Sequence, residues 1–138
     1  MSRETNLKLV QDSMRALLAG DPAPLLAALT EDAIIKAVIA EGTPISGHFQ
    51  GREGFLRYFA ALHEVMEILD VQTTDYTASE TNVVILGTEK ARVRRTGALL
   101  DCEIATVFNF RDGKIARMLA MADMAPIVDA YRSDRPAT

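Results

Sequence analysis

Apolar residues recur along this chain first at the period of a helix and then at the period of a strand, with the changeover near residue 70. Leu7, Val10, Met14, Leu17 and Leu18 share one helical stripe, which predicts a helix over Thr5–Ala19 ended by the stop signals Gly20-Asp21-Pro22. Asp21 has the character of an N-cap and Pro22 that of a first helical position, so a second, short helix follows over Pro24–Leu29. The apolar run Ala33–Ala40, broken only by Lys36 and rich in Ile and Val, predicts a strand. A Gly- and Pro-punctuated connection, Glu41–Gln50, leads to Gly51-Arg52-Glu53-Gly54, where a third helix opens. On it Phe55, Tyr58, Phe59, Leu62, Met66 and Leu69 recur at helical spacing, the longest aromatic face in the chain.

From Val71 the period is two, and strands are predicted at Val71–Ala78, Asn82–Arg95, Ala98–Arg111 and Lys114–Ala122, with Asp123 capping a terminal helical turn over Pro126–Tyr131. A two-residue hairpin turn at Thr96-Gly97 sets position 95 opposite 98, Lys90 opposite Glu103 and Arg92 opposite Asp101. Each such pair is worth a few tenths to ~1 kcal/mol. The other face then carries Val83, Ile85, Gly87, Glu89, Ala91 and Val93 against Leu100, Cys102, Ile104, Thr106 and Phe108, and it is the inner face. Reading Arg111-Asp112-Gly113 as a three-residue hairpin adds Ala116, Met118, Ala120 and Ala122 to the inner side. Leu86, Ala105, Val107, Leu119 and Met121 fall on the outer face, and an apolar patch there calls for a partner, most simply a second copy of the chain.

With 138 residues, 49% of them hydrophobic and 25% charged, the chain reads as one domain over 1–138 with a single core and room for a modest pocket. Its net charge of −4, with basic residues scattered except for Arg92, Arg94 and Arg95, argues against nucleic acid. Cys102 stands alone, so no internal disulfide and no zinc set is expected, and a reducing compartment fits. The first residues run into charged helical sequence without an apolar signal region, and no stretch is apolar enough to span a bilayer, so a cytoplasmic protein without membrane contact is expected. No phosphate loop, nucleotide fingerprint or GxSxG motif is present, and no cofactor is expected.

The order of elements, with "AGDPAPLLAALTEDA", the "GREG" helix start and the "FRDGKI" hairpin, resembles the SnoaL-like, ketosteroid-isomerase-related branch of the nuclear transport factor 2-like superfamily. The agreement runs from about Leu7 to Tyr131. The resemblance implies an α+β fold, a cystatin-like cone in which a curved antiparallel sheet wraps a cavity closed by three helices, usually as a homodimer packed sheet against sheet. Relatives include steroid isomerases, polyketide cyclases, epoxide hydrolases, dehydratases and proteins that only bind, so fold analogy does not choose a reaction. A ketosteroid isomerase needs a carboxylate base, a tyrosine and a protonated aspartic acid. The family pattern sets Ala37, Ser13 and Thr106 at those positions, so that mechanism is not expected here.

The residues themselves offer one candidate acid/base. Glu89 is the only charged side chain on the central inner face, between Gly87 and Ala91, and burial there raises a carboxyl pKa toward neutrality. Thr106 stands within diagonal reach as a hydrogen-bond partner, and His63, at the edge of the aromatic helix, is a second catalytic candidate at the cavity mouth. Two readings of each stand: Glu89 in the cavity or bulged to the rim, His63 as a partner or an ordinary helix-edge residue. Tyr58 and Phe59 line a cavity or pack. Cys102, Phe108 and Met118 complete the candidate ligand-binding set, with Cys102 also read as a small, unreactive core residue. His48, in a glycine-flanked loop, reads as solvated. The function expected is uptake of a small, largely apolar, oxygen-bearing molecule, either by a cofactor-free isomerase, cyclase or dehydratase or by a non-catalytic dimeric binding or interaction module.

Overall fold

The computed structural model describes residues 2–38 and 42–133; Ile39, Ala40 and Glu41, at the end of one expected strand and the start of the loop after it, lie outside them. Ser2 opens the first helix, α1 (Arg3–Leu18), by accepting the Thr5 N–H at 3.0 Å. The buried side of α1 is Asn6, Val10, Ser13 and Leu17, while Leu18 is exposed. The buried Asn6 amide is satisfied by the Ser79 and Glu80 carbonyls, which ties the start of α1 to a strand turn. The N-cap of α2 (Ala23–Ala28) is Pro22 rather than the expected Asp21, which accepts the Ala23 N–H at 3.0 Å from one position before the cap.

Six strands follow: β1 (Leu29–Val38), β2 (Gly47–Gln50), β3 (Met66–Ala78), β4 (Asn82–Val93), β5 (Leu99–Arg111) and β6 (Lys114–Ala122). They form one curved, unclosed sheet in the order β2-β1-β6-β5-β4-β3, with β1 parallel to β6 and every other pair antiparallel. The expected all-antiparallel sheet is thus corrected at that one pair. Two hairpin units meet there, and the chain reaches β6 only after the whole β3–β5 meander. β2 occupies part of the segment expected as a loop, pairing Gly47–Gln50 with Ala37–Ile34.

The third helix, α3 (Gly51–Val65), ends earlier than its apolar spacing suggests. Met66 and Leu69 belong to β3, because pairing of Met66 with Val93 and Ile68 with Ala91 outweighs a local pattern compatible with either period. Residues Leu69 and Thr74 are extra at two bulges in β3, and Leu69 is turned to solvent. A terminal helix, α4 (Ala125–Ser133), starts beside Asp123, which accepts the Ala125 N–H at 3.2 Å.

Two expected registers are corrected. β4 and β5 are joined by the four-residue loop Arg94–Gly97, closed by Val93 N–H to the Ala98 carbonyl and Gly97 N–H to the Val93 carbonyl, both at 2.8 Å. Arg94 cannot pair with β5 because its N–H is held by the Val65 carbonyl at 3.0 Å and its guanidinium by the His63 carbonyl at 2.7 Å. Lys90 therefore faces Asp101, Arg92 faces Leu99, and Glu89 faces Cys102. The slip is two residues, an even number, so every side chain keeps its face. At the next hairpin Asp112 and Gly113 both have positive φ, 53° and 77°, a two-residue turn flanked by Arg111 and Lys114. A bulge at Ala116 follows, so that Ile115 rather than Ala116 enters the core.

The helices cover the concave face and build two clusters. The larger gathers Val10, Leu25, Leu29, Ile35, Phe55, Val83, Phe108 and Ile115; the smaller gathers Ile45, Val65, Met66, Val93, Leu100 and Ile127 beneath α4. Leu62 packs against both.

Candidate functional site

Between the two clusters lies a cavity of about 260 Å³. An apolar cavity of about 150 Å³ holds a benzene, so this one takes a single ring with substituents or two fused rings. α1 contributes Met14, Leu17 and Leu18, α3 contributes Phe55, Tyr58, Phe59, Leu62 and His63, and β3 contributes Met66, Ile68 and Val71. Glu89, Ile104, Thr106, Met118, Ala120, Met121, Ala122 and Met124 complete the wall. Every methionine among the described residues is in it, and such unbranched, polarizable side chains let a wall adapt to what it encloses. Sequence reasoning named only Met118 among them, because no local period links methionines on α1, β3 and β6.

Glu89 sits on β4 between Gly87 and Ala91 and is 8% exposed, so it does not bulge to the rim. Burial raises its carboxyl above the ordinary carboxylate range. Among the described residues none hydrogen-bonds or ion-pairs with it, and its oxygens are not sealed off but open to the cavity. Its carboxyl is left to the cavity. The expected diagonal bond from Thr106 is absent: Thr106 pairs with Ile85, four residues from Glu89, although both line the cavity.

His63 reaches the lining from an exposed position near the end of α3, its ring edge-on to Phe59 at 4.5 Å. With exposed Leu18 it marks the mouth. Tyr58 and Phe59 both pack and line the cavity: Phe59 stacks on Phe55 at 5.9 Å, and Tyr58 is tilted against Phe49 at 5.3 Å. Burial, then the nearby Glu89 charge, pushes the Tyr58 hydroxyl up, so it remains a neutral donor.

Two expected ligand contacts are corrected. Phe108 is fully buried in the larger cluster, which also takes in Leu25 of α2 and Ile35 of β1, and it does not line the cavity. Cys102 shares the face of Glu89, its partner across the ladder, but packs against the smaller cluster and borders a separate groove rather than lining the cavity, and its thiol is pushed up to about 11 by burial and then by Glu89. The positions where the isomerase pattern would set a tyrosine and a base, Ser13 and Ala37, are buried and outside the cavity wall. Among the described residues no cluster of metal-binding side chains occurs. The clustered arginines have structural partners: Arg92 pairs with Glu67 at 3.7 Å, Arg94 with the His63 carbonyl, and Arg95 stacks on Tyr131 at 4.0 Å. His48 is exposed on β2.

A six-stranded curved, unclosed sheet with four helices defines the class, a small α+β cone. The chain belongs to the SnoaL-like domain family, whose model matches residues 10–118. Among curated proteins, none matches it. Solved structures share the fold. An NTF2-like protein of Burkholderia xenovorans is 23% identical with a TM-score of 0.82, covering 94% of this chain and 98% of its own. One of Burkholderia thailandensis is 22% identical at 0.79, covering 90% and 95%. A protein of Xanthomonas campestris, assigned provisionally as a polyketide cyclase, is 21% identical at 0.73, covering 93% and 97%.

Proposed function

We propose that the protein is a cofactor-free acid/base enzyme for a small, largely apolar, oxygen-bearing molecule of one or two rings, with Glu89 as the proton carrier. One observation supports this above the rest: the carboxyl of a largely buried residue, raised by burial and without a partner among the described residues, opens on a mostly apolar cavity. A carboxyl in that state can lend its proton to a substrate oxygen or take one from an adjacent carbon. Tyr58 and Thr106 supply hydroxyls for the oxygen, and His63 at the mouth exchanges protons with solvent. The reaction class is isomerisation, cyclisation or dehydration rather than the steroid-isomerase mechanism, whose residues are missing. The provisional polyketide cyclase among the fold neighbours is in keeping with it.

The test is hydrogen-deuterium exchange into 2-tetralone, a two-ring ketone, followed by NMR with wild type and Glu89→Gln. Exchange faster than buffer in wild type, reduced about 10²-fold or more in the variant, is expected. Equal rates in both would remove Glu89 from any catalytic role. The second reading, a dimeric binding module in a reducing cytoplasm, draws on the apolar outer face and would leave ligand binding intact with no exchange at all.

A further inference from the structure

Among the described residues, the cavity wall contains one carboxyl and no lysine or arginine. More than nine-tenths of Glu89 is withdrawn from water, and no described residue supplies it a counterion. A ligand carrying a carboxylate or phosphate would meet that charge with nothing to offset the repulsion. A cation meets three favourable features together: the carboxylate, the rings of Phe55, Tyr58 and Phe59, and five methionine thioethers. Aromatic rings attract cations through their quadrupoles, and thioethers are polarizable. The chain's net charge of −4 favours cations in its surroundings as well.

Resting on the reading of the cavity as the ligand site, we propose a second specificity for it: a small protonated amine on a single ring binds with its N–H directed at Glu89 and its alkyl groups among the rings and methionines. The exchange balances. A free amine entering the cavity takes the Glu89 proton, the N–H bond forming as the O–H bond breaks; an ammonium entering from water instead leaves that proton to the buffer. The groups around Glu89 are Tyr58 and His63 from α3, Cys102 opposite it on β5 and Val71 opposite it on β3, with Asp101 and Asp123 acting on Cys102 from further off. α1 presents only Met14, Leu17 and Leu18. Among these, only His63 carries a nitrogen base that competes for the proton, so it is tested alongside.

Isothermal titration of the full chain with N,N-dimethylbenzylamine, its uncharged isostere isobutylbenzene and the anion phenylacetate, from pH 6 to 8, decides the matter. The amine is expected to bind about tenfold or more tighter than isobutylbenzene, with the ratio growing as pH rises, and phenylacetate is expected not to bind. Glu89→Gln should bring the amine to the level of the hydrocarbon, while His63→Gln keeps the preference. Thermal melts confirm that both variants are folded. Equal binding of amine and isostere by wild type, or a preference that persists in Glu89→Gln, overturns the proposal. If isobutylbenzene still binds in that case, the cavity remains a ligand site and only the charge specificity falls; if none of the three binds, the ligand-site reading falls with it.

Discussion

Burial acts on three ionisable groups around the cavity in the same direction and with different consequences. Tyr58 and Cys102 are held neutral, as a donor and as an unreactive thiol, whereas Glu89 is moved toward the range in which a carboxyl exchanges protons near neutral pH. The sign for stability follows from linkage. An unfolded glutamate titrates near ~4.3, and the folded value is higher, so Glu89 favours the fold fully below that pH and loses this contribution as pH rises through the folded value. Glu89→Gln removes the titration and keeps the shape. The variant should melt close to wild type at pH 4 and above it at pH 8, read by differential scanning calorimetry. A variant that is less stable at pH 8 would show the carboxylate to be a satisfied structural group. The identity and face of Glu89 were legible from strand alternation alone; its lack of a partner was not, because that depends on what α1, α3 and β5 bring opposite it.

Among the elements, β3 and β4 show how local chemistry follows from a close approach. Gly87 lies on the inner face opposite Thr73, just before the second β3 bulge, and a Cβ there would press into the Gln72 carbonyl oxygen and lie 3.3 Å from the Thr73 Cα. Backbone cannot yield as a side-chain end can. Gly87→Ala should therefore cost about 1–3 kcal/mol or more, measured by urea unfolding. A cost below a few tenths would mean that the two strands part freely at this point. The bulges also disrupt an edge strand that carries Glu67, Asp70 and Asp75, which discourages pairing with other chains along β3. The alternating pattern predicted these strands, yet it missed the bulges and the four-residue loop at Arg94–Gly97, since hydrogen bonds from Arg94 to the end of α3 set that loop.

For the molecule as a whole, the outer face of the sheet is the feature the cone leaves unfinished. Leu86 is 43% exposed there, with Ala105, Val107, Leu119 and Met121 half-buried beside it. Apolar surface of this kind on a folded chain favours a partner, and a two-fold homodimer uses one patch twice. Light scattering at micromolar concentration is expected to give the dimer mass, and Leu119→Glu the monomer. A monomeric wild type, or a variant dimer as tight as wild type, would show that the patch is not the interface. No helix among the described residues is long and apolar enough to cross a membrane.

Most element types and the faces of β4 and β5 were determined by the sequence itself, because periods of 3.6 and 2 are written in local spacing and the even slip between those two strands leaves their faces unchanged. Glu89 could be singled out for the same reason. The tertiary structure alone decided where α3 yields to β3, that β1 runs parallel to β6, and that Ile115 replaces Ala116 in the core. It also decided the cavity, whose wall joins residues from α1 to Met124 that no window of sequence contains. Those outcomes rest on long-range pairing and on the space left between two core clusters, neither of which has a local signature.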